Sequence, residues 1–345
     1  MKMRSLIVGL MAAAGAAALG ACDAGGGNAG ADSGAPSGGG GQSSGGAGGA
    51  TGGGGTGSGG TSTGGGGGAP AGCGGMGSGG APAPAGDGGP APAGTGGAGG
   101  PYVKPPAAPS MGCTQPGANA AARTINVNGR NINFIINAAG YDPAMPNRLI
   151  FTLHGCGGYG AVMTLPGLAP NIHVQWQGQD GGCYEDQTRD SPEYPVFDAL
   201  LQFMETNFCI DKNRVFATGF SSGSWMADML GCRRADVVKA HGQGAGGLPM
   251  SLRFAADCRG PEAALWEHGT ADNQNHIHGS RMDRDRLMKT NQCDATSHPY
   301  PGFAPCVLYD NCLPGFPLAY CEIPGLGHAP WGMMTAVIGN FFSQF

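Results

Sequence analysis

Arg214-Val215-Phe216-Ala217-Thr218-Gly219-Phe220-Ser221-Ser222-Gly223-Ser224-Trp225-Met226-Ala227-Asp228-Met229-Leu230 is the stretch on which the fold turns. The apolar run before Gly219 predicts a strand, the segment from Ser224 predicts a helix, and Gly-x-Ser-x-Gly lies between them. Strand, sharp turn and helix in that order describe a nucleophile elbow. A serine hydroxyl is a weak nucleophile at neutral pH, so it needs an exposed perch where a histidine can take its proton. Glycines two residues to either side leave room for so tight a turn.

A serine of this kind requires partners, and in this arrangement they follow in the order acid, then histidine, each on a loop after a later strand. Asp272 in His268-Gly269-Thr270-Ala271-Asp272 directly follows an apolar run at 263–267. His328 in Gly325-Leu326-Gly327-His328-Ala329-Pro330-Trp331 follows another at 318–323. The expected trio is therefore Ser221 as nucleophile, His328 as base and Asp272 as the carboxylate that orients the ring. The loop Leu153-His154-Gly155-Cys156-Gly157-Gly158 follows a run at 149–153, and its glycines free backbone N–H groups for an oxyanion. The donors expected are Cys156 and Ser222, with Gly157 competing for the place of Cys156.

Around these motifs, short apolar runs alternate with helical patterns. A hairpin is expected from 123–128 and 131–137 around Gly129-Arg130, strands at 149–153, 172–176, 237–240, 263–267 and 318–323, and helices at 195–208, 280–290 and 333–342. A hairpin followed by repeated β-α units predicts an α/β fold with a mostly parallel central sheet flanked by helices. With the elbow, this is the α/β-hydrolase fold.

Upstream the composition changes. Lys2 and Arg4 precede an apolar stretch at 6–19, too short and too rich in Ala and Gly for a membrane span, which reads as an export signal. It ends Leu19-Gly20-Ala21-Cys22, which resembles the lipobox of bacterial lipoproteins. That resemblance implies cleavage after residue 21 and lipidation of Cys22. The chain then runs to about residue 112 in Gly, Ala, Ser, Thr and Pro, and holds most of the protein's 70 glycines. Such a segment buries too little surface to offset its ordering entropy and is expected to be a disordered tether with a reach of roughly 50 Å. The expected organisation is 1–21 signal peptide, 22–112 lipidated N-terminus and linker, and 113–345 a single catalytic domain. The corresponding localisation is a cell-envelope lipoprotein at the outer membrane or cell surface, or a secreted protein.

With 18 Lys and Arg against 23 Asp and Glu, the net charge of −5 and the absence of a basic block give no reason to expect nucleic acid as a partner. Of twelve cysteines, Cys22 and Cys73 lie upstream and ten in the domain, enough for five disulfides. In an exported chain with no Cys-x-x-Cys pair, that favours a disulfide-stapled fold over metal ligation. Cys156, inside the oxyanion loop, is the one least expected to be paired.

The runs Asn126-Val127-Asn128-Gly129-Arg130, Tyr141-Asp142-Pro143, Leu153-His154-Gly155-Cys156-Gly157-Gly158, Cys209-Ile210-Asp211-Lys212-Asn213-Arg214-Val215-Phe216-Ala217-Thr218-Gly219-Phe220-Ser221 and His268-Gly269-Thr270-Ala271-Asp272 resemble secreted feruloyl esterases. More broadly they resemble the related polyhydroxybutyrate depolymerase and acetylxylan esterase group. The resemblance spans the whole domain and implies an esterase that releases hydroxycinnamic acids from plant cell-wall polysaccharide or oligosaccharide without a cofactor. It carries the trio over to Ser221, Asp272 and His328. The chain departs from the family pattern at Ser224-Trp225, at 175–183 and at 327–331, positions around the pocket. A polyester depolymerase is the competing enzyme, and a surface binding module that has lost activity is the competing class, against which the intact trio argues.

Among the remaining residues, Tyr159, Trp176 and Trp331 are candidates to line the substrate site, since amphipathic rings suit an aromatic acid or a sugar face. Trp225 and Met226 are expected in the core behind the elbow. His276-Ile277-His278, even with His268 nearby, lacks a third ligand at metal spacing, and no metal is expected.

Overall fold

The computed structural model describes residues 102–345 apart from 115–116, 118–119, 181 and 250–256. The expected signal segment, Cys22 and nearly all of the expected linker lie outside the described residues. Within them, no helix is long and apolar enough to cross a membrane.

The hairpin forms where the sequence places it, with β1 (Thr124–Val127) and β2 (Arg130–Asn137) antiparallel. Asn128 and Gly129 turn the chain with φ of 50° and 81°, the left-handed pair that matches the twist of two strands joined by a two-residue loop. Next come β3 (Asn147–Leu153), β4 (Asn171–Trp176), α1 (Glu193–Asn207), β5 (Ile210–Phe220), α2 (Ser222–Arg233), β6 (Val238–Gly244), β7 (Ala264–Gly269), α3 (Ile277–Thr290), β8 (Ser297–Pro299), β9 (Val307–Tyr309), β10 (Leu318–Ile323) and α4 (Met334–Phe342). The strands lie in the order β1-β2-β4-β3-β5-β6-β7-β10-β9-β8, parallel from β4 through β10. The short antiparallel pair β8-β9 at the far edge adds to the expected set.

Alternation along each strand sends side chains to two faces. Leu149 and Phe151 of β3, Val215 and Ala217 of β5, and Ile172, Val174 and Trp176 of β4 join the cluster under α1 and α2. The intervening Ile150, Phe216 and Leu265 pack on the other face with Val337, Ile338, Phe341 and Phe342 of α4. Ala264 and Trp266 of β7 meet Leu287 of α3 in a third cluster. Both faces of the parallel strands are thus covered, which is why β3 and β5 carry apolar side chains on both faces.

Five disulfides staple the domain: Cys113–Cys209, Cys156–Cys183, Cys232–Cys258, Cys293–Cys312 and Cys306–Cys321. The pairing of Cys156 corrects the expectation for that residue, and its consequence belongs to the site. Between α2 and α3, the buried Arg286 guanidinium donates to Asp228 (2.8 Å), Glu262 (2.6 Å) and Asp283 (2.6 Å), an ion cluster that ties the two helices to the start of β7. Removing the arginine would leave carboxylates buried and unpaired, so the cluster fixes how α3 sits.

The segment before β1 is pinned to the beginning of β5. Ser110 N–H donates to Ile210 O (2.8 Å), Lys212 N–H to Ala108 O (2.8 Å), and Ala108 N–H to the Asp211 carboxylate (2.9 Å). Cys113–Cys209 locks the same place, and Tyr102 packs edge-on against Phe345 at 5.7 Å.

Candidate active site

The order β4-β3-β5 contains the reversal at which ligands bind in open α/β sheets, outside the carboxyl ends of the strands. Ser221 follows β5 there, and the loop 154–158 follows the adjacent β3. Ser221 sits at φ 54°, ψ −120°, a conformation that costs a non-glycine residue about 1–3 kcal/mol and holds only because its surroundings enforce it. Its N–H donates to Gly244 O (2.9 Å), and its carbonyl accepts from Ser224 (2.9 Å) and Trp225 (3.3 Å) as α2 begins. Gly219 and Gly223 are obligatory for a definite reason: a Cβ on either would run into the Leu153 carbonyl at the end of β3.

His328 bridges the other two members of the trio. Its Nε2 lies 3.0 Å from Ser221 Oγ and its Nδ1 2.8 Å from Asp272 Oδ2. Asp272 is buried, and its second oxygen accepts the N–H groups of Gln274 and Asn275, each at 2.9 Å. Burial pushes this carboxyl upward, but the hydrogen bonds from His328 and the two amides outweigh it and hold the group below the usual carboxylate range. An ionised Asp272 accepts only, so Nδ1 carries the ring proton and Nε2 presents its lone pair to the serine hydroxyl. Phe220 packs against the His328 ring at 5.1 Å.

His268 has a part that the sequence reading did not assign. It is fully buried, its Nε2–H donates to Asn275 O (2.7 Å), and the same nitrogen lies 3.4 Å from Asp272 Oδ2. Burial lowers its pKa, which keeps the ring neutral and makes it a brace for the acid turn. The spacing His268-x-x-x-Asp272 was the available signal.

The oxyanion loop is equally constrained. Gly178 N–H donates to His154 Nε2 (3.2 Å), so the proton is on Nδ1, which donates to Gly155 O (2.7 Å). Gly157 N–H is spent on Gly182 O (2.9 Å) and Gly158 N–H on Gly155 O (2.9 Å), which removes Gly157 as an oxyanion donor. Cys156 N–H and Ser222 N–H have no acceptor among the described residues. The Cys156–Cys183 disulfide engages only the side chain and ties this loop to the neighbouring loop, so pairing and a free N–H are compatible.

The three candidate substrate aromatics divide. Trp176 is fully buried, donates Nε1–H to Glu193 (2.7 Å) and packs edge-on to Phe151 and Tyr184; it shares the α1 face with Ile172 and Val174 and cannot reach a substrate. Tyr159 is half-buried on the oxyanion loop, 5.9 Å from the His154 ring. Trp331 is half-buried three residues after His328. Trp225, expected in the core with Met226, is half-buried while Met226 is fully buried.

Beneath Trp331 lies Glu267 of β7, which accepts one long hydrogen bond from the Trp331 N–H (3.5 Å) and has a second oxygen with no partner among the described residues. Burial pushes its carboxyl up to about 8 against an ordinary 4.5. The folded state therefore keeps a proton that the unfolded state has released across that window, so the stability it contributes is complete below about pH 4.5 and is lost as pH rises through 8, at up to about 1.4 kcal/mol per unit. Glu267→Gln is expected to flatten the fall of Tm between pH 5 and 8 and to be the more stable protein at pH 8.5. Parallel Tm–pH curves for variant and wild type in thermal denaturation would refute this.

The strand order, the elbow at the end of β5 and the flanking helices are those of the α/β-hydrolase fold, which hosts several hydrolytic chemistries. No family model matches the chain. Feruloyl esterase D of Neurospora crassa is 31% identical over 234 residues, which span 61% of this chain and 79% of that protein. Feruloyl esterase C of Emericella nidulans is 29% identical over 259 residues, 69% of this chain and 92% of the relative. Among solved structures, the acetyl xylan esterase from Aspergillus awamori matches 64% of this chain and 98% of its own with a TM-score of 0.52 at 13% identity, a likeness of fold. The chain belongs to the feruloyl esterase family.

Proposed function

We propose that the protein hydrolyses feruloyl and related hydroxycinnamoyl esters of plant cell-wall polysaccharide or oligosaccharide through an acyl-enzyme on Ser221. The observation that carries this is His328 within hydrogen-bond distance of both Ser221 Oγ and Asp272. In the proposed reaction Ser221 Oγ attacks the ester carbonyl carbon while its proton passes to His328 Nε2. The negative charge that develops on the carbonyl oxygen is met by the N–H groups of Cys156 and Ser222. Collapse breaks the bond to the alcohol, which leaves with the proton from His328. Water then attacks the acyl carbonyl carbon as His328 takes its proton, and collapse breaks the bond to Ser221 Oγ, which takes that proton back from His328 as the acid is released.

The acyl side is assigned to the mouth flanked by Tyr159 and Trp331, half-buried rings beside the oxyanion loop and the histidine loop. The names of the relatives support ferulate as the acid. Five disulfides support an oxidising, extracytoplasmic setting. A lipid at Cys22 remains part of the proposal.

A panel of methyl ferulate, a hydroxybutyrate oligomer and an acetylated xylan tests the reading. Methyl ferulate is expected to give the highest kcat/KM, by about 100-fold or more over either alternative, as befits a site shaped for an aromatic acid. A preference for the hydroxybutyrate oligomer would assign a polyester depolymerase instead, and one for the acetylated xylan an acetyl esterase.

A further inference from the structure

A cleft of about 340 Å³ lies against the turn that follows Asp272, and the sheet order puts it on the side of Ser221 away from the loop 154–158. Its walls are the segments that immediately follow three parts of the site. Trp225 lies four residues beyond Ser221, Gly246 and Gly247 follow β6, and Asn275 lies three residues beyond Asp272. His278 and Met282 of α3 complete the rim. The cleft is held to the trio by built contacts: Asn275 donates its backbone N–H to Asp272 (2.9 Å) and its side-chain amide to Ala245 O (2.8 Å).

Trp225 is the residue this arrangement singles out. Its indole edge lies against the backbone of Gly246 and Gly247, where a built Cβ would meet it at 3.3 and 3.4 Å. The ring is half-buried rather than packed in the core, and Nε1–H has no acceptor among the described residues. An indole facing imidazole and amide groups in a cleft suits a ligand with an apolar C–H face and a hydroxyl-bearing edge, which is a sugar ring.

Geometry also chooses which half of the ester goes here. The sheet order β3-β5-β6-β7-β10 puts the oxyanion loop on one flank of Ser221 and the acid and histidine loops on the other. The carbonyl oxygen must face the first flank, and the leaving alcohol must face His328 on the second, because it takes its proton from that ring. Resting on the esterase reading above, we infer that the Trp225 cleft binds the sugar of the leaving group, with the indole as a stacking platform.

The test compares a feruloylated oligosaccharide with methyl ferulate, which lacks the sugar. In Trp225→Leu the ratio of kcat/KM for the sugar ester over the methyl ester is expected to fall about tenfold, mainly through KM, as for loss of one aromatic stack. His278→Ala, on the exposed rim, is expected to move the ratio the same way by a smaller factor. An unchanged ratio overturns the inference, and so does an equal loss on both substrates, which would put Trp225 on the acyl side. A second readout is independent of turnover: quenching of tryptophan fluorescence by the ester-free oligosaccharide, measured on Ser221→Ala. Saturable quenching that Trp225→Leu on that background removes supports the sugar site even if ferulate proves to be the wrong acid. No saturable change overturns it even if ferulate is right.

Discussion

Ser221→Ala is expected to lower ester turnover by about 10⁴- to 10⁶-fold, because in the proposed reaction attack, acyl transfer and deacylation all pass through the one oxygen it removes. Labelling by a fluorophosphonate should vanish with it, since that reagent reports a serine activated by a neighbouring base. The fold should survive: among the described residues the Ser221 hydroxyl has no hydrogen-bond partner beyond His328, and the backbone bonds to Gly244, Ser224 and Trp225 remain. Alanine also keeps the cost of φ 54°, which glycine would relieve. Ser221→Gly should therefore be as inactive as Ser221→Ala but melt at a higher temperature. Hydrolysis assays, labelling and thermal denaturation on the same three proteins check both halves, and retained labelling in Ser221→Ala would move the nucleophile elsewhere.

Asp272→Asn is expected to cost about 10⁴-fold in kcat with little change in KM or Tm. The local hydrogen bonds say why. Asp272 Oδ1 accepts from the Gln274 and Asn275 amides, and an asparagine oxygen can take over both bonds. Its NH₂ must then face His328 Nδ1, which can meet it only as an acceptor. The ring proton moves to Nε2, where it points at Ser221 Oγ, and the base is lost although every heavy atom stays in place. Steady-state kinetics beside a melting curve separates this from unfolding. Turnover within tenfold of wild type would mean that Asp272 does not set the ring tautomer.

The elements around the site were legible because local pattern and position agree there. Gly219 and Gly223 mark the turn, while Asp272 and His328 each lie a few residues past an apolar run, at the strand ends where this architecture gathers its chemistry. The burial of Trp176 was signalled by its own strand: Ile172-His173-Val174-Gln175-Trp176 alternates apolar with polar, which puts the indole on the apolar face with Ile172 and Val174, while the polar His173 and Gln175 are buried on the other face. The edge strands β8 and β9 are three residues each, too short for a period to register, and β9 pairs with β10 across a bend stapled by Cys306–Cys321. The disulfide of Cys156 depended on two loops meeting above β3 and β4, which is a property of the assembled sheet. His268 carried a readable clue in its spacing to Asp272, but its bond to Asn275 exists only once the turn has folded.

The pinning of residues 102–113 to the first residues of β5 acquires a meaning when set beside Ser221 at the other end of that strand. At about 3.3 Å per residue, eleven residues of strand separate the two by over 30 Å. The domain has in effect a handle and a blade at opposite poles. On the proposed reading, a polysaccharide ester can approach Ser221 from the pole opposite to the one where residues 102–113 meet β5.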